Sequence, residues 1–122
     1  MKCNSIMIVE DDKDIRETIA EILHIEGYNK VVTAENGLEA LEKLKLLDKP
    51  AFIILDIKMP KMDGYEFLTQ IEKTGQRGVV HVVVLTAIPK TKKLPTAADE
   101  SLHKPINVAE FLDLVSRNCI KE

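Results

Sequence analysis

Apolar residues in this chain fall into two alternating patterns. Apolar runs occur at Ser5–Val9, Ala51–Asp56 and Val79–Leu85, and Lys30–Ala34 is a short β-branched run. Runs of this length bounded by turn residues read as strands buried on both faces. Between them, apolar residues recur at helical spacing: Ile15, Ile19, Ile22 and Leu23 with Arg16, Glu17 and Glu21 between them; Leu38, Leu41, Leu44 and Leu47 before Pro50; Phe67, Leu68 and Ile71; and Val108, Phe111, Leu112 and Val115. These stripes predict helices. Asp12 is the expected N-cap of the first and Gly27 its stop, while Asn36-Gly37 punctuates the chain before the second. Gly64 leads into the third, Gly75 and Gly78 break it, and Asn107 with Glu110 resembles a capping box before the last. Glu100–His103 is the candidate for a fifth strand. The pattern is weakest in 88–98, where Pro89 and Pro95 and the charges of Lys90, Lys92 and Lys93 leave only Ile88 and Leu94 as anchors. Proline costs about 3 kcal/mol in a helix interior, so a loop with at most one helical turn is expected there.

Alternating strands and helices predict an α/β fold with a parallel sheet covered on both faces. Right-handed crossovers then bring every strand's carboxyl end to one edge. That edge collects Glu10, Asp11, Asp56, Thr86 and Lys104, residues spread over nearly the whole sequence.

Composition narrows the reading further. With 122 residues, 45% of them hydrophobic and 30% charged, a single domain spanning residues 1–122 is expected. A net charge of −3 without a basic run argues against nucleic-acid binding. No apolar stretch approaches the roughly 20 residues of a membrane span, and Met1–Ser5 is too short and polar for a secretory signal. Cys3 and Cys119 lie near opposite ends without metal-ligand spacing. Free thiols in a reducing cytoplasm are the expectation, with a disulfide between them an unsupported alternative.

Carboxylates converging on one sheet edge repel one another, and a cation relieves them. Their oxygens suit Mg²⁺, Mn²⁺ or Ca²⁺, and no Cys or His is spaced for zinc. A metal, a lysine and a hydroxyl together match the three equatorial oxygens of a phosphoryl group in transfer. One carboxylate can then act as nucleophile and become an aspartyl phosphate, and Asp56, ending the central strand, is the best placed. Taken singly, each residue has a plainer role: Asp12 a helix cap, Asp56 a turn cap, Lys104 a solvated lysine, Thr86 an ordinary strand residue. Their joint placement at strand ends favours the chemical reading.

Ile-Val-Glu-Asp-Asp (8–12), Leu-Asp-Ile-Lys-Met-Pro-Lys-Met-Asp-Gly (55–64), Val-Leu-Thr-Ala (84–87) and Lys-Pro (104–105) resemble the receiver domain of two-component response regulators, over about Ile6 to Ile120. The resemblance implies a flavodoxin-like (CheY-like), doubly wound five-stranded parallel sheet of order 2-1-3-4-5, with helices on both faces and a degenerate fourth helix here. It implies that Asp56 accepts a phosphoryl group from a phosphohistidine on a sensor histidine kinase or phosphotransfer protein. By the same resemblance, Asp11, Asp56 and the backbone carbonyl of Lys58 bind Mg²⁺ (or Mn²⁺), and Glu10 assists through water. Thr86 hydrogen-bonds the phosphoryl group, Lys104 pairs with it after a cis Lys104–Pro105 bond, and Gly64 serves a loop with no room for a Cβ.

Two departures stand out. Glu10 replaces the usual first Asp, and Ser101 replaces a usual aromatic rotamer switch, so that relay is not carried over. Lys58 and Ile88, two residues after Asp56 and Thr86, imply slow loss of the phosphoryl group to water. The expectation is thus a cytoplasmic, monomeric phosphoacceptor regulator rather than an enzyme, with output through contact with another protein. A degenerate receiver serving as a phosphorylation-independent interaction module is the alternative. A metal-dependent phosphatase of the haloacid-dehalogenase type is disfavoured, because Glu10-Asp11-Asp12 replaces its Asp-x-Asp.

Overall fold

Each predicted apolar run forms a strand. They are β1 (Ser5–Val9), β2 (Val31–Ala34), β3 (Ala51–Asp56), β4 (Val80–Thr86) and β5 (Glu100–His103). The computed structural model describes residues 2–57, 59, 61–75, 77–86 and 99–121, with the side chains of Arg77 and Thr86 excepted. The expectations for Lys58, for Ile88 and for a loop over 88–98 lie outside the described residues.

All pairings are parallel, in the order β2-β1-β3-β4-β5. β1 turns toward β2 on one side, and the chain then crosses to β3 on the other. The strand order therefore reverses between β1 and β3, which opens a crevice at their carboxyl ends. The β1–β3 register pairs Val9 with Leu55, so Glu10 and Asp56 emerge side by side.

Four helices are described: α1 (Lys13–Ile25), α2 (Gly37–Leu44), α3 (Gly64–Lys73) and α4 (Val108–Asn118). Strand alternation sends Ile6, Ile8, Phe52 and Ile54 to the face covered by α1 and α4. Met7, Val9, Ile53 and Leu55 go to the face covered by α2 and α3. Each helix opens on a capping side chain. Asp12, Asn36, Asp63 and Asn107 accept from the backbone N–H three residues on, at 3.0, 2.9, 2.9 and 3.0 Å, satisfying donors that a helix leaves unpaired.

Several sequence expectations need correction. The leucine spacing carries α2 toward Pro50, but the helix stops at Leu44. The next bonds, Leu46 N–H to Lys43 O at 3.0 Å and Leu47 N–H to Leu44 O at 3.3 Å, are tighter three-residue turns. Lys49 Nζ then donates to the Leu47 carbonyl at 2.9 Å, satisfying an acceptor near the end of this turn. Buried Leu114, not Val108, completes the inner face of α4, and Val108, the first residue of the helix, is 48% exposed. Val108 instead lines a groove of about 300 Å³ with Ile15, Ile22 and Ile106. Val79 belongs to a short 3₁₀ turn before β4.

Gly64 shows why the turn after β3 needs glycine. A Cβ there would stand 2.9 Å from both the Asp56 carbonyl oxygen and the Ile57 Cα. Gly64→Ala is expected to destabilise the chain by about 1–3 kcal/mol in urea denaturation, the usual range for overpacking. Gly78→Ala is the control, because a Cβ there meets nothing within 4 Å. Equal effects of the two substitutions would contradict the steric account.

Candidate functional site

The acidic crevice is built from two strand ends. Glu10 follows β1, and its N–H donates to the Ala34 carbonyl at 3.0 Å, so β2 holds it in place. Asp56 ends β3. Ligand oxygens of Glu10, Asp11 and Asp56 all lie within 4.8 Å of one another. Glu10 and Asp56 are buried, whereas Asp11 is exposed.

Lys104 reaches the pair from across the sheet. The Lys104–Pro105 bond is cis. Its ammonium donates to Asp56 Oδ1 at 3.2 Å and to Glu10 Oε1 at 3.3 Å. Among the described residues, Lys104 thus bonds two of the three clustered carboxyl groups. Burial pulls the Lys104 pKa down, but Asp56 and Glu10 outweigh that and hold it above its ordinary value. The excess negative charge falls on Glu10. Its burial first, then the Asp56 charge and the Asp11 hydrogen bond, push its pKa from 4.5 to about 7, against the Asp12 N–H and Lys104.

The structure brings together Glu10, Asp11, Asp56 and Lys104. Thr86 ends β4 one position beyond Leu85, the register partner of Asp56, so its backbone reaches the same edge. Lys58 lies outside the described residues.

One residue of the site was misread from the sequence. Arg16, placed among the polar positions of α1, is buried. Its Nη1 donates to the carbonyls of Glu10 at 2.9 Å and Asp11 at 3.4 Å, and its Nη2 lies 3.6 Å from Glu35 Oε1. It therefore clamps the acidic turn to the start of α1 and to the end of β2. Asp12 caps α1 as expected, and its own N–H donates to Glu10 Oε2 at 3.3 Å.

Comparison with known proteins agrees with this arrangement. The family model of the response regulator receiver domain matches residues 6–116. The transcriptional regulatory protein CpxR homolog of Haemophilus influenzae is 37% identical over 113 residues, which is 89% of this chain and 47% of that protein. The response regulator MprA of Mycobacterium ulcerans is 36% identical over 111 residues, covering 88% of this chain and 46% of that protein. Among solved structures, the response regulator TrrA of Thermotoga maritima, in complex with Mg²⁺-BeF, superposes with a TM-score of 0.79 at 36% identity, covering 93% of this chain and 97% of that one. The chemotaxis response regulator CheY4 of Vibrio cholerae gives a TM-score of 0.81 at 30% identity, covering 95% and 98%. This chain belongs to the response regulator receiver domain family, the phosphoacceptor switches of two-component systems. It spans about half the length of the two curated relatives.

The shift on Glu10 gives the fold a pH signature. The unfolded chain releases this proton near 4.5, while the folded chain holds it to about 7. Between those values the folded state binds more protons, so stability falls as pH rises, and the penalty is complete above the window. Its size is roughly 3 kcal/mol. Glu10→Gln is expected to be more stable than the parent at about pH 8, with the gain vanishing near about pH 4. Urea denaturation at both pH values checks this, and a gain independent of pH would refute the origin assigned to it.

Proposed function

We propose that Asp56 is the phosphoacceptor of this receiver and that a phosphohistidine on a sensor kinase or phosphotransfer protein is the donor. The observation that carries this reading is the position of Asp56, at the end of the central strand and beside the switch point, with Lys104 Nζ 3.2 Å from its carboxylate. In the transfer, a carboxylate oxygen of Asp56 forms a bond to phosphorus while the bond from phosphorus to the donor nitrogen breaks. The imidazole leaves with its electron pair and takes up a proton. Lys104 moves from the Asp56 carboxylate to the new phosphoryl oxygens, and the Thr86 hydroxyl, from the end of β4, is assigned a hydrogen bond to the same group.

The donor set fits Mg²⁺. Carboxylate oxygens are its preferred ligands, and three of them gather within 4.8 Å. Asp11 and Asp56 are assigned direct ligation with the Lys58 backbone carbonyl, and Glu10 assists through water. When bound, the ion neutralises charge on the transferring phosphoryl oxygens. Mn²⁺ satisfies the same oxygen ligands.

On this reading the chain acts as a switch rather than an enzyme, and its chemistry is limited to accepting the phosphoryl group and losing it slowly to water. We assign it to the cytoplasm, as a monomeric domain over residues 1–122 whose output is contact with another protein, without nucleic acid or membrane. The alternative of a phosphorylation-independent module is disfavoured by the intact cluster of Glu10, Asp11, Asp56 and Lys104.

Two measurements test the assignments. After incubation with acetyl phosphate and Mg²⁺, the parent chain is expected to gain the mass of one phosphoryl group, and Asp56→Asn none. A stable adduct on the folded Asn variant would assign the acceptor elsewhere. In urea denaturation, Mg²⁺ is expected to stabilise the parent by about 2.7 kcal/mol at a hundred times its dissociation constant. Asp11→Ala should remove that gain while raising the metal-free baseline, through relief of like-charge repulsion. Undiminished Mg²⁺ stabilisation in the variant would exclude Asp11 as a ligand.

A further inference from the structure

At the opposite edge of the sheet from the acidic crevice, the two cysteines meet. Cys3, just before β1, and Cys119, just after α4, form an isolated parallel bridge. The Cys3 N–H donates to the Asn118 carbonyl at 2.7 Å, and the Ile120 N–H donates to the Cys3 carbonyl at 3.0 Å. These two bonds flank the pair and fix its register. Backbones paired in this way lie about 4.8 Å apart, within the roughly 4.4–6.8 Å between Cα atoms that a disulfide spans. Residues opposite each other in a parallel bridge project their side chains to the same side. Both are buried in the core under α1 and α4, and both are free thiols.

We propose that Cys3 and Cys119 are a redox-active dithiol that closes to an intramolecular disulfide, tying the entry to β1 to the exit from α4. Neither thiol takes part in the phosphoryl chemistry, so the rim explains neither their pairing nor their contact. The bridge sets the two buried thiols beside each other. Its interaction with Cys119 holds the Cys3 thiol below its ordinary value, against its burial, while the interaction with Cys3, together with burial, pushes the Cys119 thiol up. Cys3 is thus the first nucleophile.

The oxidant is a low-molecular-weight disulfide. The Cys3 thiolate attacks one of its sulfurs, the external S–S bond breaks, and one small thiolate leaves. The Cys119 thiolate then attacks Cys3 Sγ in the mixed disulfide. The Cys3–Cys119 bond forms, and the second small thiol is released. The two cysteine protons end on the two released thiols, and the protein loses two electrons to the external disulfide. Access requires the bridge to part. Only two backbone bonds flank it, and it lies outside the five-stranded ladder, so it opens at lower cost than the sheet. Once formed, the link closes a loop containing all five strands and so restricts the unfolded chain.

The test uses the full chain and oxidised glutathione, both in buffer and in urea below the unfolding transition, where local opening is populated. The expected product lacks two hydrogens in intact mass and yields, on digestion without reduction, a peptide pair joined through Cys3 and Cys119. Dithiothreitol should restore both thiols. The oxidised parent should melt at a higher temperature than the reduced parent, a shift that Cys3→Ser and Cys119→Ser cannot show under the same treatment. The proposal is overturned by an end product carrying glutathione on one cysteine, by a link between two chains, or by two unreacted thiols even in sub-denaturing urea. An internal disulfide that leaves the melting temperature unchanged would overturn the clamp.

Discussion

The structure turns on like charge held at close range. Three carboxyl groups stand within 4.8 Å at the point where the strand order reverses, and the ammonium of Lys104 bonds two of them. Coulomb repulsion at that distance is tolerable only because the surroundings are fixed. Ala34 holds the Glu10 amide, Arg16 holds the Glu10 and Asp11 carbonyls, and Asp12 is committed to the first turn of α1. The first two contacts restrain the backbone of Glu10 and Asp11, and the third engages the carboxylate of Asp12 rather than those of the cluster. The Glu10 pKa, pushed up to about 7 by its burial and by Asp56, is the same frustration expressed in a proton.

Much of this was legible in the sequence, for a physical reason. A strand buried on both faces tolerates only apolar residues, so the carboxylate that ends the run marks the sheet edge, and Glu10 and Asp56 are both found this way. Two helix starts were equally readable, because Asp12 and Asn107 satisfy amides that have no other partner. What remained hidden depends on contacts between elements. Arg16 has the composition of a solvated helix residue, and only the position of the acidic turn buries it. Val108 fits the helical period as well as Leu114 does, yet it opens the helix and is left half exposed. Cys3 and Cys119 share no local pattern at all. Their adjacency exists only once β1 and α4 have been laid on the same face.

Among the described residues, the order of the sheet leaves two strands paired on one side only, and both are short: Val31–Ala34 and Glu100–His103, four residues apiece. An exposed strand edge is a template for pairing with another chain. Here Lys43 of α2 donates to the Thr33 carbonyl of β2, while Glu39 holds the same ammonium at 3.0 Å. At the far edge, Glu100 is engaged by His81 at 2.7 Å and Asn118 at 3.2 Å. Short length, ionic side chains and an occupied carbonyl all disfavour the addition of a foreign strand. A domain whose working edge must stay open to other proteins is thereby guarded against growing into a cross-β aggregate through its sides.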